Sequence, residues 1–83
     1  MNDYKLKKER QSNFRKLNTQ LKNTEKEIEE TELSISQIEE KLNNATYEEL
    51  VKLTETLNEL TDKRDALYEQ WENISAELEE YEL

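Results

Sequence analysis

Residues 42–50 read LNNATYEEL, and this stretch decides how the rest of the chain folds. On both sides of it, apolar residues recur at alternating steps of three and four, which is the heptad pattern of a helix that packs along one seam. Between Leu42 and Leu50 the step is eight residues, and a skip of one residue is not an insertion that a continuous coiled coil absorbs. The pattern therefore predicts two helices separated by a short turn.

The residues of this stretch also predict where the helices end and begin. Asn43 and Asn44 are typical of a helix C-terminus, and Thr46 followed by Glu49 has the pattern of a capping box. We predict helix 1 over about residues 4–43, the turn over about 43–46 and helix 2 over about 47–82. Because the turn is short, the helices must lie antiparallel. The predicted fold class is all-α, with residues 1–83 forming a single two-helix antiparallel coiled-coil hairpin.

The seams of the two helices are mainly aliphatic, with two threonines in the first and one charged residue in the second. The first seam consists of Phe14, Leu17, Leu21, Thr24, Ile28, Thr31, Ile35, Ile38 and Leu42. The second seam consists of Leu50, Leu53, Leu57, Leu60, Arg64, Leu67, Trp71, Ile74, Leu78 and Tyr81. We interpret Arg64 as a polar layer that sets the register, with its long stem packed on the seam.

The register can be predicted because, in an antiparallel coiled coil, heptad position a of one helix faces heptad position d of the other. Residue pairs whose numbers sum to 88 satisfy this rule throughout, which places Ile28 opposite Leu60. The same register brings Lys41 beside Glu49, and it brings Glu27 beside Lys63. These flanking pairs have opposite charges, which favours the chosen register.

Composition excludes most classes of function. The chain has 83 residues, is 33% hydrophobic and 40% charged, and contains no Gly, Pro, Cys or His. It cannot enclose a sizeable core, and without His, Cys and Gly it has no imidazole base, thiolate site or Gly-rich phosphate loop. Adjacent glutamates diverge by about 100° around a helix and nothing encloses them. We therefore expect no catalytic residue, no metal site and no cofactor in this chain.

The location and oligomeric state are also predicted from composition. No apolar run approaches the roughly 20 residues that a membrane span needs, so we expect a cytoplasmic protein without membrane contact. Apolar residues outside the seams are few, among them Leu33 and Val51. A second hairpin would have no apolar stripe to pack against, so we expect a monomer.

Charge is segregated along the chain, although the net charge is −9. Residues 7–22, KKERQSNFRKLNTQLK, carry six bases and one acid. Lys8, Arg15 and Lys22 share one heptad position on the outer surface of helix 1, and Lys5 and Lys16 lie beside them. Two interpretations compete: a solvated outer face, or a docking surface for phosphates or an acidic partner. No aromatic residue alternates with these bases, so stacking on nucleobases is not expected.

Two blocks of the sequence resemble a known family. Residues 3–42, DYKLKKERQSNFRKLNTQLKNTEKEIEETELSISQIEEKL, and residues 57–80, LNELTDKRDALYEQWENISAELEE, are similar to the C-terminal domain of Uup-like ABC-F proteins. The basic opening and the LYEQWE block, Leu67 to Glu72, carry most of the resemblance.

The resemblance implies a cytoplasmic arm attached after two ATP-binding cassettes that have no membrane domain. Its partners would be the ATPase domains of its own parent chain and a nucleic acid, either DNA or ribosomal RNA. The residues expected to contact that nucleic acid are Lys5, Lys8, Arg15, Lys16 and Lys22. The alternative is a structural or protein-binding coiled-coil arm without nucleic-acid contact, of the kind that seryl-tRNA synthetases carry.

Overall fold

A computed structural model describes residues 2–81. Two helices, α1 (Asn2–Leu42) and α2 (Tyr47–Glu79), lie side by side and antiparallel in a rod that measures 68 × 16 × 14 Å. Residues 2–81 contain no strand. The predicted all-α two-helix hairpin is therefore confirmed. We call the end with the connecting turn the tip and the opposite end the root.

The turn has the predicted capping interactions. Thr46 lies in an extended conformation (φ −72°, ψ 168°), and its side chain accepts the backbone N–H of Glu49 at 3.4 Å. The Glu49 carboxylate accepts the backbone N–H of Thr46 in return, also at 3.4 Å. At the other helix end, the N–H groups of Asn43 and Asn44 donate to the carbonyls of Glu40 and Lys41 at 3.3 Å. These bonds satisfy backbone groups that would otherwise be left without partners at the helix ends.

The core is a single seam between the helices. Its buried members are Thr24, Ile28, Thr31, Ile35, Leu67, Ile74 and Leu78. The two buried threonines donate their hydroxyls to the carbonyls one turn earlier, at 2.8 Å for Thr24 and 2.7 Å for Thr31. Within residues 2–81, every buried side-chain polar atom has a hydrogen-bond partner. The polar layers therefore do not carry the penalty of an unpaired buried group.

The predicted register is wrong by one heptad. The Phe14 and Tyr81 rings lie 6.1 Å apart, so the facing residue numbers sum to 95 at this point and not to 88. The hydroxyl of Tyr68 donates to the Glu32 carboxylate. With a sum of 88, Tyr68 would lie level with Gln20, twelve residues or about 18 Å from Glu32 along the axis.

A register in which the numbers of facing residues sum to 95 accounts for these contacts. It places Trp71 level with Thr24, and the indole N–H of Trp71 donates to the carboxylate of the next residue, Glu25, at 3.1 Å. It also places Ile28 opposite Leu67, and both are buried. Tyr68 reaches Glu32 because helical side chains lean toward the N-terminus of their own helix, and in an antiparallel pair they lean toward each other.

The predicted flanking ion pairs do not form in this register. The ion pair present among residues 2–81 joins neighbours on α2, Arg64 and Asp65, at 3.4 Å. The sequence could not separate the two registers because a shift of seven residues still places every a position opposite a d position. Weak exposed charge pairs were a poor guide to the choice, since each contributes only about 0.2–1 kcal/mol.

In the corrected register, part of α1 extends beyond the level of the described residues of the second arm. Tyr81, the last described residue of the second arm, lies level with Phe14. Residues 2–13 of α1 therefore extend about 18 Å beyond Tyr81. We call residues 2–13 the root segment, and all of its side chains are exposed.

Candidate nucleic-acid interface

The five basic residues predicted as contacts all lie on α1 and are all exposed. Lys8, Arg15 and Lys22 form a row with steps of seven residues, which is about 10 Å along the axis. Lys5 and Lys16 lie beside this row. We call these five residues the basic face. The structure thus places them on one side of one helix, in an extended line and not in a pocket.

Acids are scarce on α1 near the basic face. Between Tyr4 and Thr24 the sequence contains one acid, Glu9, which is the neighbour of Lys8. Adjacent helical residues point about 100° apart, so Glu9 projects away from the Lys8 row, although it lies on the same side of α1 as Lys5 and Lys16. The local field of this part of α1 is therefore positive despite the acidity of the whole chain.

Among residues 47–80, the acids of the second arm lie beside only part of the basic face. In the observed register Glu80 is level with Arg15 and Glu72 is level with residue 23. Lys8 lies about 10 Å beyond the level of Glu80, and Lys5 lies about 15 Å beyond it. These distances exceed the Debye length of about 8 Å at physiological ionic strength. The bases of the root segment are therefore less opposed by α2 than the predicted register implied.

A cleft at the root was missed by the sequence analysis. It has a volume of about 510 Å³ and is lined by Lys7, Arg10, Gln11, Phe14, Arg15 and Tyr81. We call it the root cleft. It combines three bases with two aromatic rings. The one-heptad shift creates it, because the predicted register would have placed Ile74 and not Tyr81 opposite Phe14.

Arg10 orders one wall of the root cleft. Its guanidinium carbon lies 5.2 Å from the centre of the Tyr81 ring, a cation–π arrangement. Its Nη2 also donates to the carbonyl of Glu80 at 3.2 Å, which supplies positive charge at the C-terminal end of α2. No basic residue lies in the last turn of α2 itself, so Arg10 supplies that charge from the other helix.

Other surfaces of the hairpin fit an anion less well. A larger depression of about 750 Å³ at the tip is lined by both signs of charge, including Glu40, Glu49, Lys41 and Lys52. Within residues 2–81 no group of three or more acidic side chains is arranged to hold a metal ion. Neither described helix has a stretch long and apolar enough to cross a membrane.

Comparison with known families identifies the domain. The family model described as the ABC transporter C-terminal domain matches residues 13–80. The chain belongs to this family. The match spans the paired parts of both helices and the turn, and it leaves out most of the root segment. An ABC transporter C-terminal domain is an accessory part of an ABC protein and not its ATPase core. No curated protein and no solved structure matched the chain.

Proposed function

We propose that this ABC transporter C-terminal domain is the non-catalytic arm of a cytoplasmic, Uup-like ABC-F ATPase, and that it docks on nucleic acid through the basic face of α1. The ligand is DNA or ribosomal RNA. The observation that carries the proposal is the exposure of Lys5, Lys8, Arg15, Lys16 and Lys22 on one side of α1. ATP is bound and hydrolysed by the cassettes of the parent chain, and the arm, a monomer, holds no cofactor.

Binding through the basic face is electrostatic and tolerant of sequence. A straight row of basic side chains with steps of about 10 Å can contact phosphates. It lacks the converging hydrogen-bond donors that recognise the edges of nucleobases. With three to five phosphates neutralised, log affinity against log salt has a slope of roughly −3 to −4. We expect dissociation constants in the micromolar range or weaker near physiological salt.

A second candidate function is a protein-binding arm, and an exposed apolar patch at the tip favours it. Tyr47 is 81% exposed, and Leu50 and Val51 lie on the same side of the first turns of α2 with 40% and 46% exposure. Such a patch fits a protein partner better than a nucleic-acid backbone. This function would leave the basic face as a solvated surface.

A titration of duplex DNA and of structured RNA, at low and then at moderate salt, tests the proposal. The variant Lys8→Glu, Arg15→Glu, Lys22→Glu should abolish binding, because it reverses the charge of the whole row. The control Lys41→Glu, Lys52→Glu, Lys63→Glu changes the net charge equally but at positions off the basic face, and it should retain most of the affinity. Absence of binding by the unmodified hairpin at low salt, or equal binding by the first variant, would overturn the proposal in favour of the protein-binding arm.

A further inference from the structure

We infer that the root cleft binds one unpaired nucleotide, whose base stacks on the Phe14 ring beside Tyr81 while Lys7 and Arg15 hold the adjoining phosphates. The inference rests on the proposed nucleic-acid function and deepens it. It adds single-stranded nucleic acid, DNA or RNA, as the substrate class of the root.

The aromatic pair supplies a stacking surface. The rings of Phe14 and Tyr81 are tilted by 57° with their centres 6.1 Å apart, so they form an angled platform on which one flat base can lie parallel to only one ring. Arg10 lies over the Tyr81 ring, which leaves Phe14 as the ring on which the base stacks. Phe14 keeps 37% of its surface exposed, although it occupies a seam position. Every nucleobase has a flat face, so stacking on such a ring does not depend on the base identity.

The three basic side chains of the cleft have different roles. Arg10 is already engaged with the Tyr81 ring and with the carbonyl of Glu80, so it holds the platform in place. Lys7 and Arg15 lie on either side of Gln11 along α1 and are exposed. They are therefore free to contact phosphates on both sides of a stacked base. The Gln11 amide between them can donate to or accept from the edge of the base.

The size of the cleft fits a nucleotide, and its chemistry favours a single strand. A volume of about 510 Å³ is large enough for a nucleotide, but so is the depression of about 750 Å³ at the tip, and it is the lining of basic and aromatic side chains that favours the root cleft. In a duplex, both faces of each base are covered by neighbouring pairs, so a protein ring cannot reach them. A single strand can use the cleft and the basic face together, whereas an intact duplex can use only the basic face.

The test compares three probes of one sequence at the same low salt: a 12-nucleotide DNA strand, the equivalent RNA strand and the DNA duplex. We expect both single strands to bind at least about fivefold more tightly than the duplex, since that is the lower end of the range for stacking one base. DNA and RNA strands should bind alike, because no contact in the cleft selects for the 2′-hydroxyl. A clear preference for the duplex, or equal binding of strands and duplex, would overturn the inference.

A double variant separates the contribution of ring stacking to binding from the contribution of charge. Phe14→Leu with Tyr81→Leu keeps apolar residues in the seam but removes both rings, and it should lose the single-strand preference while duplex binding stays unchanged. The control Tyr47→Leu with Tyr68→Leu removes two rings outside the cleft and should keep the preference. Circular dichroism checks that each variant stays helical.

A crosslinking measurement avoids dependence on the folding of the variants. A strand that contains bromouracil should, on irradiation, attach to the peptide that holds Phe14 or the peptide that holds Tyr81. Attachment only to other peptides would contradict the cleft assignment. If the strands bind no better than the duplex but reversal of the Lys8, Arg15 and Lys22 charges still removes binding, the inference fails and the proposed function stands. If no probe binds at low salt, both fail.

Discussion

At the residue scale, Arg64 is the one charged member of the seam. In the observed register it faces Thr31, which is 4% exposed and whose hydroxyl is bonded to the carbonyl of Glu27. Thr31 has therefore already used its donor within α1. The Arg64 side chain is 35% exposed and its guanidinium contacts Asp65 at 3.4 Å on the same helix. Its stem covers the seam while its charge stays in water.

Replacing Arg64 by leucine should therefore stabilise the hairpin. The change adds apolar surface at a half-buried position and gives up the exposed ion pair with Asp65 and the weaker attraction of Glu32 and Glu39, which line a depression beside Arg64. An exposed charge pair contributes about 0–1 kcal/mol. We expect a gain in the free energy of unfolding of about 1 kcal/mol, from apolar burial at about 25 cal/mol per Å². Thermal and urea unfolding measure it, and Lys63→Leu, at an exposed neighbour, is the control with little expected change. A lower melting temperature for Arg64→Leu would show that the guanidinium contributes more than its contact with Asp65 accounts for.

Tyr68 and Glu32 form a second residue-scale contact, which couples the helices to pH. The hydrogen bond to the Glu32 carboxylate raises the pKa of Tyr68, with desolvation and the charge of Glu32 acting in the same direction. Because the pKa of the folded state is raised, the contact stabilises the hairpin fully below the ordinary pKa of tyrosine. That contribution is lost as the pH rises through the raised value.

Glu32→Gln should lower the pKa of Tyr68 toward its ordinary value, because it removes both the charged acceptor and the repulsion of the phenolate. Alkaline titration of tyrosinate absorbance measures this change. The chain has four tyrosines, so the same titration of Tyr68→Phe identifies the contribution of Tyr68 by difference. An unchanged Tyr68 titration in the glutamine variant would mean that the contact with Glu32 does not form in solution.

At the element scale, the sequence predicted the helices but not their alignment. The three-and-four spacing and the capping pair Thr46–Glu49 were sufficient to predict two antiparallel helices and the turn between them. The register was not predictable from the same spacing, since a shift of one heptad preserves it. The contacts that fix the register, such as Trp71 with Glu25, involve long polar side chains that a seam pattern does not describe.

Cysteine crosslinking distinguishes the two registers. Ile28→Cys with Leu67→Cys should form an intramolecular disulfide rapidly on oxidation, because these residues face each other when the numbers sum to 95. Ile28→Cys with Leu60→Cys is the matched control, with the partner displaced by one heptad or about 10 Å, beyond the Cα separation that a disulfide tolerates. Faster crosslinking of the control pair would support the register in which the numbers of facing residues sum to 88.

The seam pattern does not determine the register, and this explains which parts of the candidate site the sequence could predict. The basic face was predictable because residues seven apart lie on one side of a helix whatever its partner does. The root cleft was not, because it needs Tyr81 level with Phe14, and that depends on the register. The prediction that no aromatic ring alternates with the basic residues considered only the outer face of α1. In the structure, the second helix contributes Tyr81 beside Arg10, and Phe14 of the seam lies in the same cleft.

At the scale of the whole molecule, the two ends of the rod differ in charge and in what surrounds them. The root segment is a basic stretch of α1 that extends past the level of Tyr81, whereas most of the acids lie on the remainder of the hairpin. A polyanion that approaches the rod is therefore attracted to the root and repelled elsewhere. Apolar side chains are exposed at both ends, among them Tyr47 and Val51 at the tip and Tyr4 and Leu6 at the root, so charge is what distinguishes the two ends. A nucleic acid therefore favours the root, whereas the apolar patch at the tip is open to a protein partner.

The most direct test of the account is the backbone amide NMR spectrum of the hairpin, titrated at low salt with duplex DNA and separately with structured RNA. We predict that the chemical-shift changes concentrate on residues 5–22, with the largest near Lys8 and Arg15, and that residues 43–51 at the tip stay unchanged. Raising the salt should reverse the changes. An unchanged spectrum with both ligands, or changes confined to the tip, would contradict the claim that the basic face of α1 contacts nucleic acid.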